Sequence, residues 1–213
     1  MSMIEVQIND KETHQYASGI TAGDILLNVY GKRNGAVAAN INGVERDMSF
    51  IINENCKIEP ILGDSEEGLY ILRHSCAHLL AQAVVEMFPD AKPTIGPPIE
   101  HGFYYDFHMK PIGDNDLKKI EKRMGQLVRE NITIQREEHE NNDLREMFKE
   151  NKFKIEIMDE KIGNEVGSTA YRQGDFVDLC RGPHVPSTSH LRWFKLTSTS
   201  QAYWRADRNR EPL

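Results

Sequence analysis

Apolar and polar residues alternate at the start of the chain, where Ile4, Val6 and Ile8 occupy every second position, the period of a strand with one buried face. Thr21 then precedes Ile25, Leu26 and Val29 at helical spacing, and Gly31 is placed to end that turn of chain, so the pattern predicts a short capped helix. Ala36 to Ile41 reads as a strand running into Asn42-Gly43, a strong hairpin signal, and Cys56 to Leu62 as a further short strand. Strand, helix and paired strands together predict a β-grasp, a small sheet wrapped on one helix, over residues 1–62.

Polar, glycine-flanked Gly63-Asp64-Ser65-Glu66-Glu67-Gly68 predicts a linker, and a second unit over 63–213 follows from it. Leu69, Leu72, Leu79, Leu80, Ala83, Val84 and Met87 recur as one buried helical face that Phe88-Pro89 terminates. Gly102 to Phe107 is aromatic and strand-like, and alternation aims Tyr105 opposite to Tyr104, so that one of them faces inward. Leu117, Ile120, Met124, Leu127 and Val128 predict another helix, Ile132 and Ile134 a strand, and Leu144, Met147 and Phe148 a short helix. Strands are expected at Lys154–Ile157, at Phe176–Cys180 before the turn Arg181-Gly182-Pro183, at Trp193–Thr197 and at Ala202–Arg205. The fold class is therefore α+β in two units.

Composition changes this picture little. With 213 residues and a hydrophobic fraction of 39%, the chain has enough apolar material for one or two ordinary cores, and no run approaches the ~18 apolar residues of a membrane span. The N-terminus has no basic segment followed by an apolar one, so a cytoplasmic location is expected. Cys56, Cys76 and Cys180 are odd in number and lack framework spacing, which predicts reduced thiols, with Cys76 in packing. The formal charge of −7 disfavours nucleic acid at first sight. Two basic clusters offset it: Lys118, Lys119, Lys122, Arg123 and Arg129, and Arg192, Lys195, Arg205, Arg208 and Arg210. Each reads equally well as a solvated face or as a contact for a phosphate backbone.

Chemistry concentrates in two short runs, His74-Ser75-Cys76-Ala77-His78 and Asp178-Leu179-Cys180-Arg181-Gly182-Pro183-His184. Within each, two ligand-type side chains are four positions apart, so a helix or tight turn presents both in one direction. Three readings use these atoms. His74, His78, Cys180 and His184 supply a tetrahedral zinc set of three nitrogens and one sulfur. Without a metal, an imidazole takes a proton from water and returns it to a leaving alcohol, Asp178 orients it, and Lys154 or Arg181 stabilises the oxyanion of an attacked ester. In the third, Cys180 is itself the nucleophile.

His74-Ser-Cys-Ala-His78-Leu-Leu, Thr94-Ile-Gly-Pro-Pro98, Gly102-Phe-Tyr-Tyr-Asp106, Asp178-Leu-Cys-Arg-Gly-Pro-His184-Val-Pro and Ala202-Tyr-Trp-Arg205 together resemble, in order, the N-terminal region of bacterial-type threonyl-tRNA synthetases. The resemblance implies a TGS domain of the β-grasp (ubiquitin-like) type at 1–62 and, at 63–213, an editing domain of the threonyl/alanyl-tRNA synthetase type. It implies hydrolysis of mischarged Ser-tRNA(Thr), with the tRNA(Thr) acceptor end and its seryl-adenosine moiety as partner and no membrane. Serine lacks one methyl of threonine, a difference that binding alone turns into only ~1–3 kcal/mol of discrimination, so a second sieve is required. Carried over, the catalytic positions fall on His74, Lys154, Asp178 and Tyr105, and the substrate-binding positions on His78, Cys180 and His184.

On this resemblance no cofactor is expected in the chain, and zinc at His74, His78, Cys180 and His184, as in the alanyl relatives, is the alternative. A tRNA- or regulator-binding module without catalysis is the other. The family's class II motifs do not occur before Leu213, so ATP, magnesium, the synthetic-site zinc and the contacts of a homodimer would belong to parts of a parent enzyme outside this chain; a fragment is expected rather than a freestanding editor, because the family continues toward its catalytic domain after Asp207-Arg208-Asn209-Arg210. Ala206 stands where the family usually has glycine and His101 where it often has Asp or Asn, both peripheral to the chemistry.

Overall fold

A computed structural model describes residues 2–9, 12–32, 35–161 and 167–213. Its longer elements are β1 (Met3–Ile8), β2 (Glu12–Ala17), α1 (Ala22–Tyr30), β3 (Ala36–Ile41), β4 (Val44–Arg46), β5 (Cys56–Leu62), α2 (Glu66–Met87), α3 (Asp114–Glu130), β6 (Ile134–Glu140), α4 (Asn141–Met147), α5 (Lys152–Lys161), β7 (Gly167–Gln173) and β8 (Phe176–Leu179).

The first five strands form one sheet in the order β2-β1-β5-β3-β4, with β1 parallel to β5 and the other neighbours antiparallel. Ile4, Val6 and Ile8 point inward and bury themselves with Ala22, Ile25 and Leu26 of α1. Thr21 caps α1, its hydroxyl accepting from the Asp24 amide at 3.1 Å. Asn42 and Gly43 both adopt positive φ, as a two-residue hairpin loop requires. Strand β2 has no counterpart in the hydrophobic pattern: Glu-Thr-His-Gln-Tyr-Ala is a polar edge strand with no fully buried residue.

The stretch expected as a linker contains the start of α2, which Ser65 caps by accepting from the Gly68 amide at 3.0 Å. A Cβ at Gly68 would lie 1.8 Å from the Leu62 carbonyl oxygen, so glycine is what lets the helix start hard against the end of β5. Val37, Ala38 and Ile61 of the sheet share a core with Ile71, Leu79 and Val84 of α2. The helix buries more than the single predicted stripe: Leu69 is exposed, whereas Ile71, Ser75, Ala77, His78 and Ala81 are covered. Small side chains at 75, 77, 81 and 83 allow neighbours to approach from several sides.

Beyond α2, strands β6, β7 and β8 make an antiparallel sheet in that order. Three predicted strands are absent. Lys154–Ile157 lies in α5, where the Asn151 side chain accepts from the Phe153 and Lys154 amides and so starts a helix over an alternating sequence. Residues 193–197 have no regular structure, and Trp204–Ala206 form a short 3-10 turn in which the Trp204 ring is packed against Phe153. The aromatic run 102–107 is split between two-residue strands, Gly102–Phe103 pairing with Pro98–Ile99 and Phe107–His108 with Lys92–Pro93.

Candidate metal and hydrolytic site

His74 and His78 project from the middle of α2, Asp178 from β8, and Cys180 and His184 from the turn after it. Gly182 at the centre of that turn has φ of 71°, and its peptide bond to Pro183 is cis. The two predicted runs meet: Cys180 Sγ lies 3.3 Å from His74 Nε2 and 3.2 Å from His184 Nε2. The His78 ring centroid is 4.2 Å from that of His184 and 5.2 Å from that of His74. His78 and His184 are buried, while His74 and Cys180 are half-buried and form the accessible side of the cluster.

One donor atom from each of the four residues can be chosen so that all lie within 4.8 Å of one another. A zinc tetrahedron with ~2.0–2.1 Å bonds to nitrogen and ~2.3 Å to sulfur has donor–donor edges of about 3.3–3.6 Å, close to the sulfur–nitrogen separations here. Protonation favours the same assignment. Burial lowers His74 to about 4 and His78 to about 3, against partial compensation by the Asp178 charge, and holds His184 well below its ordinary value. The imidazoles are therefore neutral near pH 7, the form that binds metal. Behind His184, the Ser75 hydroxyl lies 3.0 Å from Nδ1 and accepts from the Val185 amide at 3.1 Å, the kind of outer contact that orients a ligating ring. These residues fit zinc, and the expectation that the chain needs no cofactor is corrected accordingly. Spacing alone did not show whether the four donors converge; they do, in an arrangement that fits a metal ion.

A second group adjoins the first. The Lys154 ammonium, from α5, lies 2.5 Å from Asp178 Oδ1 and donates to the Tyr105 hydroxyl at 3.1 Å, and that hydroxyl donates to Asp178 Oδ2. His78 Nε2 is 3.7 Å from the same Oδ2 and links the two groups. Burial on its own raises Asp178, but the Lys154 charge, the facing His78 and the hydrogen bonds from Lys154 and Tyr105 hold its carboxylate below the ordinary range. Burial and the Asp178 charge push the Tyr105 phenol well above its ordinary value, so it stays protonated as a donor. Tyr105 is the inward member of its pair, 8% exposed against 41% for Tyr104. Gly96 makes room for it, since a Cβ there would lie 2.1 Å from the Tyr105 ring.

All seven predicted site residues thus share one region of the molecule. Ser75, Asp47 and Tyr171, which also contact it, were not anticipated; Ser75 lies inside the first motif, and nothing in the local pattern around the other two marks them. Cys76 is buried in the core with its thiol pushed up to about 12 by burial, as its packing role predicted. Half of the basic residues of the two clusters are in ion pairs: Arg123 contacts Glu86 and Glu130, Lys119 Asp116, Lys195 Glu121, Arg205 Glu160, and Arg210 Glu156. Lys118, Lys122 and Arg129 remain at the surface of α3.

The sequence model of the threonyl and alanyl tRNA synthetase second additional domain matches residues 169–211, the stretch that carries Asp178, Cys180 and His184. The chain is 42% identical over 214 residues, 99% of its length, to the threonine–tRNA ligase of Rubrobacter xylanophilus, and 43% identical over 215 residues, its whole length, to that of Staphylococcus epidermidis. It is 49% identical over 164 residues, 77% of the chain and 24% of the relative, to the threonine–tRNA ligase of Thermoplasma volcanium. The chain is homologous to the N-terminal portion of threonine–tRNA ligase. It covers 33% of the Rubrobacter and Staphylococcus proteins, about a third of their length. Among the described residues no helix is long and apolar enough to cross a membrane.

Proposed function

We propose that this chain is the editing part of a threonyl-tRNA synthetase and hydrolyses the ester of Ser-tRNA(Thr), with residues 1–62 as its TGS domain of β-grasp type and 63–213 as its editing domain. The observation that carries this reading is the junction, through His78 and Asp178, of a four-donor cluster with a buried lysine–carboxylate–phenol group. A site for ester hydrolysis needs a means of activating water and a donor for the oxyanion, and these two groups supply candidates for both.

Zinc held by all four of His74, His78, Cys180 and His184 would be coordinatively closed and fix the geometry of the site, and would polarise a water only by expanding its coordination. His74 and Cys180, on the open side, form the wall that a seryl group meets. Lys154 carries three N–H donors, two of which are directed to Asp178 and Tyr105; on this reading the third donates to an ester oxygen or to the departing ribose oxygen that reaches it past the half-buried His74 and Cys180. Asp178 holds Lys154 and Tyr105 in place through its two carboxylate oxygens. Selection would rest on space: serine enters, and the extra methyl of threonine clashes with a wall that cannot recede.

The partner on this reading is the acceptor end of tRNA(Thr) in the cytoplasm, and activation of threonine with ATP, magnesium and a second zinc belongs to a synthetase's other domains, through which it would dimerise. Purified chain is tested for release of serine from Ser-tRNA(Thr) against release of threonine from Thr-tRNA(Thr). Binding of tRNA with no hydrolysis of either ester would instead mark a binding module.

A further inference from the structure

Asp47 belongs to the N-terminal sheet, one residue beyond β4, and is 9% exposed. Its carboxylate does not serve that sheet. Oδ1 accepts from the backbone amide of His184 at 2.9 Å, and Oδ2 accepts from the Tyr171 hydroxyl at 2.7 Å, across sequence separations of 137 and 124 residues. Tyr171 is 1% exposed, its ring is 4.5 Å from the His184 ring, and its hydroxyl fills the place that a Cβ on Gly182 would occupy, 1.8 Å away. One carboxylate thus holds both the backbone of a cluster residue and the phenol that packs under the turn carrying it.

The turn that bears Asp47 is itself fixed to its own unit. Its carbonyl accepts from the Phe50 amide at 3.0 Å, and the neighbouring Met48 carbonyl accepts from Gly23 at the start of α1 at 2.7 Å. The β4 turn, itself tied to α1, is thus also tied to the Arg181–Val185 segment by a buried hydrogen bond.

We infer that Asp47 is a positioning residue of the site, so that the N-terminal sheet contributes a structural part of the His74, His78, Cys180, His184 cluster instead of being an independent appendage. Where it concerns zinc, the inference rests on the zinc reading of that cluster. Removing a partner of a ligating ring typically changes metal affinity by about 10- to 100-fold, and Asp47, which acts one step further out through the His184 backbone and Tyr171, is placed at the lower end of that range. An asparagine at 47 can keep both contacts, its carbonyl accepting from the His184 amide and its NH2 donating to the Tyr171 oxygen, whereas glutamate carries its acceptors one bond further out and alanine has none.

The test uses the full chain with Asp47→Ala, Asp47→Asn and Asp47→Glu, and reads zinc affinity by competition with a chromophoric chelator together with hydrogen exchange of the His184 amide. We expect parent-like zinc affinity in Asp47→Asn, a loss of about tenfold or more in Asp47→Glu and Asp47→Ala, and faster His184 exchange in the latter two. A folded Asp47→Ala with parent-like zinc affinity and exchange overturns the inference. If Asp47→Ala does not fold, Asp47→Glu decides, and parent-like behaviour there overturns it equally. A parent chain that binds no zinc would defeat the zinc reading alone; the His184 exchange pattern across the three variants then decides the role of Asp47.

Discussion

Lys154 and Asp178 meet at 2.5 Å, and each side chain is only 3% exposed. Burying two charges is costly, and removing one partner strands the other, so single substitutions should destabilise by about 3–5 kcal/mol while a joint apolar replacement costs less. Urea unfolding of Lys154→Met, Asp178→Leu and the double variant measures this, and the double should be more stable than either single. The Asp178 carboxyl is depressed from an ordinary 3.8, so its contribution is present above that value and fades as pH falls through the lower folded value. Asp178→Asn should therefore flatten the acid limb of the stability profile below pH 3.8 and lower stability at neutral pH.

Zinc binding should release about one proton near pH 7, because the three imidazoles are already neutral whereas Cys180, its thiol pushed up to about 12 by burial, must ionise to become a ligand. Its affinity should accordingly rise about tenfold per pH unit through neutrality. Calorimetry in buffers of different ionisation enthalpy counts the protons. Release of none would remove Cys180 from the ligand set, and release of three or more would mean protonated histidines.

Gly96→Ala should act on the site from outside it. The new Cβ would meet the Tyr105 ring at 2.1 Å, and displacement of the ring would disturb its hydroxyl's contacts with Asp178 and Lys154. Overpacking of this kind costs about 1–3 kcal/mol. Ester hydrolysis should fall at least as far as in Tyr105→Phe, measured on the same tRNA substrate.

Much of this architecture is visible in the chain because the signals are local. The alternation of Ile4, Val6 and Ile8, the Thr21 cap and the Asn42-Gly43 hairpin each work within a few residues, and the four-residue spacing of each cluster has a similarly local cause. What stayed hidden depends on distant partners. Lys154–Ile157 alternates like a strand, yet a capping Asn151 and a buried ion pair place it in a helix. The polar β2 strand exists because β1 offers it an edge, and Asp47 acquires its role only when His184 and Tyr171 arrive from more than a hundred residues away. The choice between metal ligands and proton carriers belongs to the same class, since separation in sequence leaves open whether four donors converge.

Deacylation of Ser-tRNA(Thr) by the zinc-loaded chain tests the proposed function most directly, with Thr-tRNA(Thr) and the His74→Ala and Lys154→Ala variants run in parallel. The account predicts serine release well in excess of threonine release, and a loss of roughly 100-fold or more in each variant without loss of tRNA binding. Equal, uncatalysed rates for both esters in a folded, zinc-loaded chain would contradict it.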